Sequence, residues 1–85
     1  MEINNWNLEK LQDFLSEKIA EVTETDPDDI VITRAFSDYA IDSASGVSLS
    51  GDLEEEFNLK LSPTLLFEYP TIEKLAQYLF EEINK

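Results

Sequence analysis

Apolar side chains recur every three or four residues in three separate stretches of the chain. In the first stretch they are Leu8, Leu11, Leu15, Ile19 and Val22. This spacing places them on one face of a helix. It predicts a first helix from about Asn7 to Thr23, because Asn7 is a favourable N-cap residue.

The second stretch follows Asp42, a residue type that often caps the start of a helix. Its apolar residues are four apart: Leu49, Leu53 and Phe57. If Asp42 is the cap, Ser43 occupies the first helical position.

Two glycines, Gly46 and Gly51, fall inside this second predicted helix. Each costs about 1 kcal/mol of helix stability relative to alanine. We therefore expect another backbone or a partner surface to approach the helix closely at these positions.

Two further segments complete the helical pattern. Ser62 and Pro63 are typical of a helix start and predict a short helix from Thr64 to Glu68, which Pro70 ends. Thr71 then caps a final helix. The apolar face of that helix contains Ile72, Leu75, Ala76, Leu79 and Ile83.

The segment between the first two helices, residues 24–41, has no sustained period. Its apolar residues are expected to anchor it across the helices: Ile30, Val31, Ile32 and Phe36. No strand pattern competes with the helices. The sequence thus predicts an all-α fold, a small four-helix bundle with three main helices, one short helix and a long ordered loop between helices one and two. We expect one domain over residues 1–85.

Acidic residues dominate the charge of this 85-residue chain, with 19 Asp and Glu against six Lys and Arg and a net charge of −13. Such a surface repels nucleic acid and anionic membranes, so neither is an expected partner. A basic protein surface is the natural complement, and the surplus acid is also a common aid to solubility. No apolar run is long enough for a membrane span, and a cytoplasmic location is predicted.

The chain contains no Cys and no His. A Ser-His-Asp or Cys-His nucleophile pair therefore cannot be assembled, and no metal site is predicted. An EF-hand is excluded because Ile30 and Val31 stand where its loop needs a ligand and a glycine. Ser43 has an ordinary explanation as a helix-starting residue. However, a phosphodiester on its hydroxyl would also be favoured there, because the N–H groups and dipole of a helix start attract negative charge.

Three motifs surround this serine: FSDYAIDS at residues 36–43, LSGDLEEEF at 49–57 and LSPTLLFEYPTI at 61–72. Together they resemble an acyl carrier protein of the polyketide synthase type, over about Leu8 to Phe80. Fatty-acid carriers and aminoacyl or peptidyl carriers are the related alternatives. A non-covalent acidic helical adaptor is the alternative from a different class; it explains the charge and the helices but not these motifs.

The resemblance implies that 4′-phosphopantetheine is esterified to Ser43 by a separate phosphopantetheinyl transferase, which uses coenzyme A and Mg²⁺. The thiol of this arm would carry acyl groups as thioesters, and the protein itself would catalyse nothing. The implied partners are an acyl-loading ligase or acyltransferase, a ketosynthase and tailoring enzymes. The chain is expected to be a free-standing monomer, since its charged end, residues 81–85, shows no linker composition.

Within this picture Asp42 caps the helix and contacts the transferase or its metal ion. The docking face for partner enzymes is expected on the side of the second helix that points away from the Leu49, Leu53 and Phe57 stripe. Its predicted residues are Ala44, Val47, Ser48, Gly51, Glu54 and Glu55.

Overall fold

The computed structural model describes residues 6–39 and 41–85. Residues 1–5 of the predicted domain and Ala40 of the first quoted motif lie outside the described residues. The α-helices in the described ranges are α1 (Leu8–Thr23), α2 (Ser43–Phe57), α3 (Leu65–Glu68) and α4 (Ile72–Ile83). The predicted all-α bundle of three main helices and one short helix is confirmed.

Apolar side chains from all four helices, most of them leucine and isoleucine, form one buried core. Its helical members include Leu11, Leu15, Ile19, Leu49, Leu53, Leu65, Leu66, Ile72, Leu75, Ala76 and Leu79. The predicted inner face of α1 is wrong at Val22, whose side chain is 40% exposed because it lies in the last turn of the helix. Ala20 is buried in that part of α1 instead.

The loop between α1 and α2 is ordered by short 3₁₀ turns and by backbone contacts with the start of α4. The N–H of Phe36 donates to the carbonyl of Pro70 at 2.8 Å, and the N–H of Glu73 donates to the carbonyl of Ile32 at 3.0 Å. The Phe36 side chain is buried in the core. The long loop is therefore ordered in its described part, as predicted.

Val31 does not anchor this loop with its side chain, which is 44% exposed. The side chains of Ile30 and Ile32 pack against the core, and Val31 between them points outward. Its backbone is held instead by the hydroxyl of Tyr39, which accepts from the Val31 N–H at 2.8 Å and donates to the Val31 carbonyl at 3.1 Å. The expectation that Val31 is an apolar anchor is wrong. The half-buried Tyr39 holds this part of the loop instead, through its two hydrogen bonds to the Val31 backbone.

The short helix α3 begins at Leu65, one residue later than predicted. Ser62 does not cap it: its hydroxyl accepts from the N–H of Thr64 at 3.1 Å and so closes a turn just before the helix. This turn places Leu65 and Leu66 in the core and leaves Phe67 exposed.

The fold does not explain both glycines of α2 by close approach. A Cβ atom at Gly46 would lie 4.0 Å from the Cβ of Leu66, an ordinary contact distance, and one at Gly51 would meet nothing within 4 Å. Within the described chain, the expected close backbone approach is therefore wrong. An approaching partner surface stays a prediction.

Gly51→Ala is expected to raise the free energy of unfolding by about 0.5–1 kcal/mol. Alanine restricts the unfolded chain and fits the helical backbone of α2, where the space beside Gly51 is open. Urea unfolding followed by circular dichroism measures the change. A decrease in stability would show that the site is sterically constrained.

Candidate functional site

The start of α2 is formed by Asp42, whose backbone is extended and whose carboxylate caps the helix. Oδ1 of Asp42 accepts from the N–H of Ser45 at 2.9 Å, and its carbonyl accepts from the N–H of Gly46 at 2.9 Å. The side chain of Ile41, just before it, is buried. The predicted cap is confirmed, and the helix start is fixed to the core by the preceding residue.

Ser43 is the first residue of α2, and its side chain is exposed. Among the described residues, its hydroxyl makes no hydrogen bond. It lies in the first turn, where backbone N–H groups lack helical acceptors and the helix dipole is positive. No acidic residue occurs in that turn. The position is therefore accessible and favourable to an anionic substituent.

The pKa of the Asp42 carboxyl is lowered below its ordinary value of 3.8, chiefly by the hydrogen bond from the Ser45 N–H, with help from the Ser45 side chain. Because the folded state favours the ionised form, this contribution to stability is present above pH 3.8 and is lost as the pH falls through the lower folded value. The cap is thus fully charged at neutral pH.

Asp42→Asn is expected to lower the free energy of unfolding at pH 7, because asparagine keeps a capping oxygen but loses the charge at the helix start. The difference between the two proteins should shrink once the pH falls below 3.8, where Asp42 itself becomes protonated. Urea unfolding of both proteins between pH 7 and pH 3 measures this. A difference that is independent of pH would contradict the charge argument.

A cavity of about 130 Å³ opens beside the start of α2. Its lining includes Ile41, Asp42, Gly46, Leu66 and Phe67. It is the place where α2 and α3 meet next to Ser43. Apolar atoms dominate the lining of this cavity. The surroundings of Ser43 are therefore polar on the side of the helix start and apolar on the side of α3.

A larger cavity, of about 630 Å³, lies elsewhere, against α1 and α4. Its wall includes Tyr69 and Tyr78, whose rings stack at 4.4 Å. Burial raises the pKa of Tyr78, assisted by the nearby Glu82 carboxylate. None of the predicted site residues lines this cavity, so it does not belong to the site around Ser43.

The predicted docking residues lie along α2, but not all are equally available. Five of them are exposed: Ala44, Val47, Ser48, Gly51 and Glu55. Glu54 is half-buried, because its Oε2 accepts from the N–H of Leu61 at 3.0 Å. Its role in docking stays a prediction, and its observed role is to fix the chain between α2 and α3.

Sequence reasoning missed Phe67 as a surface residue. It follows Leu65 and Leu66 in an apolar run, yet its side chain is 57% exposed. The signal was present in the length of α3: a single helical turn that buries Leu65 and Leu66 cannot also turn the next residue inward.

A family model described as the phosphopantetheine attachment site matches residues 13–79. The chain belongs to this family. The model's span contains all of α2 and α3 and most of α1 and α4. The group that members of this family carry is covalently attached 4′-phosphopantetheine, and carrier proteins of this kind are generally not catalytic.

The carrier is also similar to parts of large synthases. It is 35% identical over 74 residues to the polyketide synthase PksR of Bacillus subtilis and 36% identical over 75 residues to the pikromycin synthase component PikAII of Streptomyces venezuelae. These matches cover 86% and 87% of the carrier but only 3% and 2% of the relatives' own length.

Solved carrier structures share the fold over nearly the whole chain. The HMG-ACPI domain of the CurA module from Lyngbya majuscula has a TM-score of 0.86 and 29% identity, covering 98% of this carrier and 84% of that chain. A free-standing peptidyl carrier protein from Acinetobacter baumannii has a TM-score of 0.86 and 36% identity, covering 91% and 96%. The resemblance to acyl carrier proteins of the polyketide synthase type is confirmed.

The described residues contain no helix long and apolar enough to cross a membrane. They also contain no group of three or more His, Cys, Asp or Glu side chains placed to hold a metal ion.

Proposed function

We propose that this protein is an acyl carrier that holds acyl intermediates as thioesters on a 4′-phosphopantetheine arm attached to Ser43, and presents them to polyketide-type biosynthetic enzymes. The observation that carries the proposal is the position of Ser43: exposed, first in α2, directly after the Asp42 cap and inside the span matched by the family model.

The start of α2 suits the proposed phosphodiester. Its negative charge would lie beside the free N–H groups of the first turn, at the positive end of the helix dipole. Asp42 keeps Oδ1 on the Ser45 N–H, and its carboxylate is exposed. Oδ2 is the group that we assign to contact with the transferase or with the Mg²⁺ of that enzyme.

In this function the chain performs no catalysis of its own. Attachment converts each encounter of substrate and enzyme into a reaction of a tethered group at high effective concentration. The proposed partners are the phosphopantetheinyl transferase, an acyl-loading ligase or acyltransferase, a ketosynthase and tailoring enzymes. The expected monomeric state and cytoplasmic location stay predictions.

We propose that the carrier is free-standing. The free-standing peptidyl carrier protein from Acinetobacter baumannii, similar over 96% of its length, supports this. The large synthases, of which the chain matches a small part, favour the opposite. An immunoblot of extracts of its own host gives the molecular mass of the protein and decides between the two arrangements.

Loading of the purified chain tests the proposal. The protein is incubated with coenzyme A, Mg²⁺ and a broad-specificity phosphopantetheinyl transferase and is then analysed by intact-mass spectrometry. We expect a gain of one phosphopantetheinyl group per chain. A chain that stays unmodified, while a known carrier in the same mixture is loaded, would favour the non-covalent acidic adaptor.

The peptidyl alternative has an observation in its favour, the 36% identity with the Acinetobacter baumannii carrier. To separate the carrier types, the protein that carries the phosphopantetheine arm is offered in parallel to acyl-loading and aminoacyl-loading enzymes. The mass of the thioester formed identifies the accepted cargo. Preferential loading of amino acids would assign the protein to peptidyl carriers, and preferential loading of long saturated chains to fatty-acid carriers.

A further inference from the structure

The cavity of about 630 Å³ against α1 and α4, here called the tyrosine cavity, is not used by the site around Ser43. Its volume lies within the range of about 300–1,000 Å³ that is usual for ligand sites. Leu8 and Gln12 of α1 are four positions apart, so they form one side of the cavity together. No residue of α2 occurs in its described lining. Contacts with this cavity therefore do not involve the helix that bears the serine.

A stacked pair of tyrosines forms one wall of the tyrosine cavity. The ring centroids of Tyr69, just after α3, and Tyr78, in α4, are 4.4 Å apart, and the ring planes differ by 23°. Both side chains are half-buried. Each ring covers one face of the other and leaves the opposite face uncovered. The face of an aromatic ring attracts cations, so this pair is a platform for a planar cation.

Carboxylates surround the tyrosine pair. Glu68, Glu73 and Glu81 line the cavity with exposed side chains, whereas Lys74 is the one basic residue in its described lining. Acidic groups therefore outnumber basic groups three to one in this lining. The side-chain amide of Gln77 donates to Oε2 of Glu81 at 2.9 Å and so holds that carboxylate at the cavity. The electrostatic field of the cavity favours a cationic ligand.

The hydroxyl of Tyr78 responds to the same field. Burial raises its pKa, and the carboxylates of Glu82 and Glu68 raise the pKa further. The tyrosine therefore stays uncharged at neutral pH. The attraction for a cation then comes from the carboxylates and the ring faces, and not from a phenolate.

We propose that the tyrosine cavity binds an arginine-bearing segment of a partner protein. The guanidinium stacks on an uncovered tyrosine face and donates to the carboxylate of Glu81, which lies three positions after Tyr78. A second basic residue of the segment meets Glu73, about 12 Å away along α4. The methylene stem of the arginine packs on the apolar part of the lining, which includes Leu8. Lysine fits less well, because its ammonium cannot combine stacking with paired hydrogen bonds.

Charge decides between the possible occupants of the tyrosine cavity. A second copy of the chain carries a net charge of −13 and would be repelled by the acidic lining. A neutral apolar molecule would leave the carboxylates without a complement. A basic segment uses both the tyrosine faces and the carboxylates. This inference goes beyond attachment at Ser43 and does not rest on it, because the serine does not line the cavity.

Titration of the ¹⁵N-labelled protein with a blocked peptide tests the proposal. The probe is a leucine peptide with two arginines set three residues apart, and matched peptides replace both arginines by lysine or by citrulline, a neutral isostere. We expect the largest chemical-shift changes at the amides of Tyr69, Gln77 and Tyr78. The dissociation constant should rise about threefold for the lysine peptide and about tenfold or more for the citrulline peptide.

Charge-matched variants separate the tyrosine cavity from the general acidity of the chain. Glu73→Gln and Glu81→Gln are each expected to weaken binding of the arginine peptide about twofold to fivefold, the effect of one exposed ion pair. Glu17→Gln and Glu21→Gln are the controls, because they remove the same charge at exposed positions of α1 outside the cavity lining. Binding to these controls should stay within about 1.5-fold of the parent chain, since salt screens distant charges.

Leucine variants of the two tyrosines test the stacking. Tyr69→Leu and Tyr78→Leu should each abolish the preference for the arginine peptide over the lysine peptide, because leucine offers no ring face to a guanidinium. Both rings are half-buried, so urea unfolding checks that each variant is folded. If neither is folded, the glutamine variants carry the test.

Equal weakening by all four glutamine variants would overturn the site, because the peptide would then respond only to net charge. Chemical-shift changes confined to α2, or equal binding of the arginine and citrulline peptides, would overturn it as well. Concentration-dependent shifts of the cavity amides without peptide would assign the cavity to a second copy of the chain instead. Loading at Ser43 is a separate measurement, and its failure would leave each of these outcomes unchanged.

Discussion

Ser43→Ala is expected to abolish the gain of the phosphopantetheinyl group, whereas the parent chain should be fully modified under the same conditions. This is the largest functional effect that we expect from any single substitution. The variant removes only the hydroxyl oxygen that forms the ester, and alanine is well suited to the first turn of a helix. The fold should remain unchanged, so the loss reports the missing attachment atom. Intact-mass spectrometry after incubation with coenzyme A and transferase measures it.

The other serines of α2 provide matched controls for this experiment. Ser48 is exposed on the same helix, and Ser45 is half-buried in its first turn. Ser48→Ala and Ser45→Ala should both be modified to completion, with Ser45→Ala the slower of the two because the Ser45 side chain assists the Asp42 cap. Modification of Ser43→Ala, or its loss in Ser48→Ala, would place the attachment at a different hydroxyl.

Leu79→Ala should cause the largest loss of stability, about 3 kcal/mol in the free energy of unfolding. The Leu79 side chain is 0% exposed and belongs to the core that joins α4 to the other helices. Its truncation removes apolar contacts and leaves a cavity that rigid neighbours fill only in part. Small domains have total stabilities near the lower end of about 5–15 kcal/mol, so this loss removes a large fraction.

Thermal and urea unfolding monitored by circular dichroism measure this effect, and the midpoint temperature should fall by more than about 10 °C. Val22→Ala is the control, because Val22 is already 40% exposed in the last turn of α1. Its cost should stay below about 1 kcal/mol. Similar losses for both variants would show that the core is not organised around α4 as described.

The main helices follow directly from local information in the sequence. The apolar spacing of Leu49 and Leu53 identifies the buried face of α2, and Asp42 identifies its first turn, because a cap is a contact between near neighbours. The placement of Ser43 at the helix start was therefore predictable. Its attachment role came from the motif resemblance, since a serine at a helix start is ordinary by itself.

The features that the sequence pattern did not predict concern the environments of individual side chains. Val31 is apolar but exposed, because Tyr39 holds its backbone from eight positions away. The carboxylate of Glu54 accepts a hydrogen bond from the N–H of Leu61, a contact that no helical period indicates. Phe67 is exposed because α3 is only one turn long and Ser62 delays its start. The first two depend on tertiary contacts that a helical period does not contain, whereas the exposure of Phe67 follows from the short length of α3.

The loop that precedes Ser43 has a mechanical consequence for the carrier. Its backbone is tied to Pro70 and Glu73, and Ile41 is buried immediately before the cap. The base of the proposed arm is therefore a fixed pivot. The distance over which cargo travels between active sites is then set by the rotatable bonds of the arm and by movement of the whole protein, and not by any swing of the segment that bears the serine.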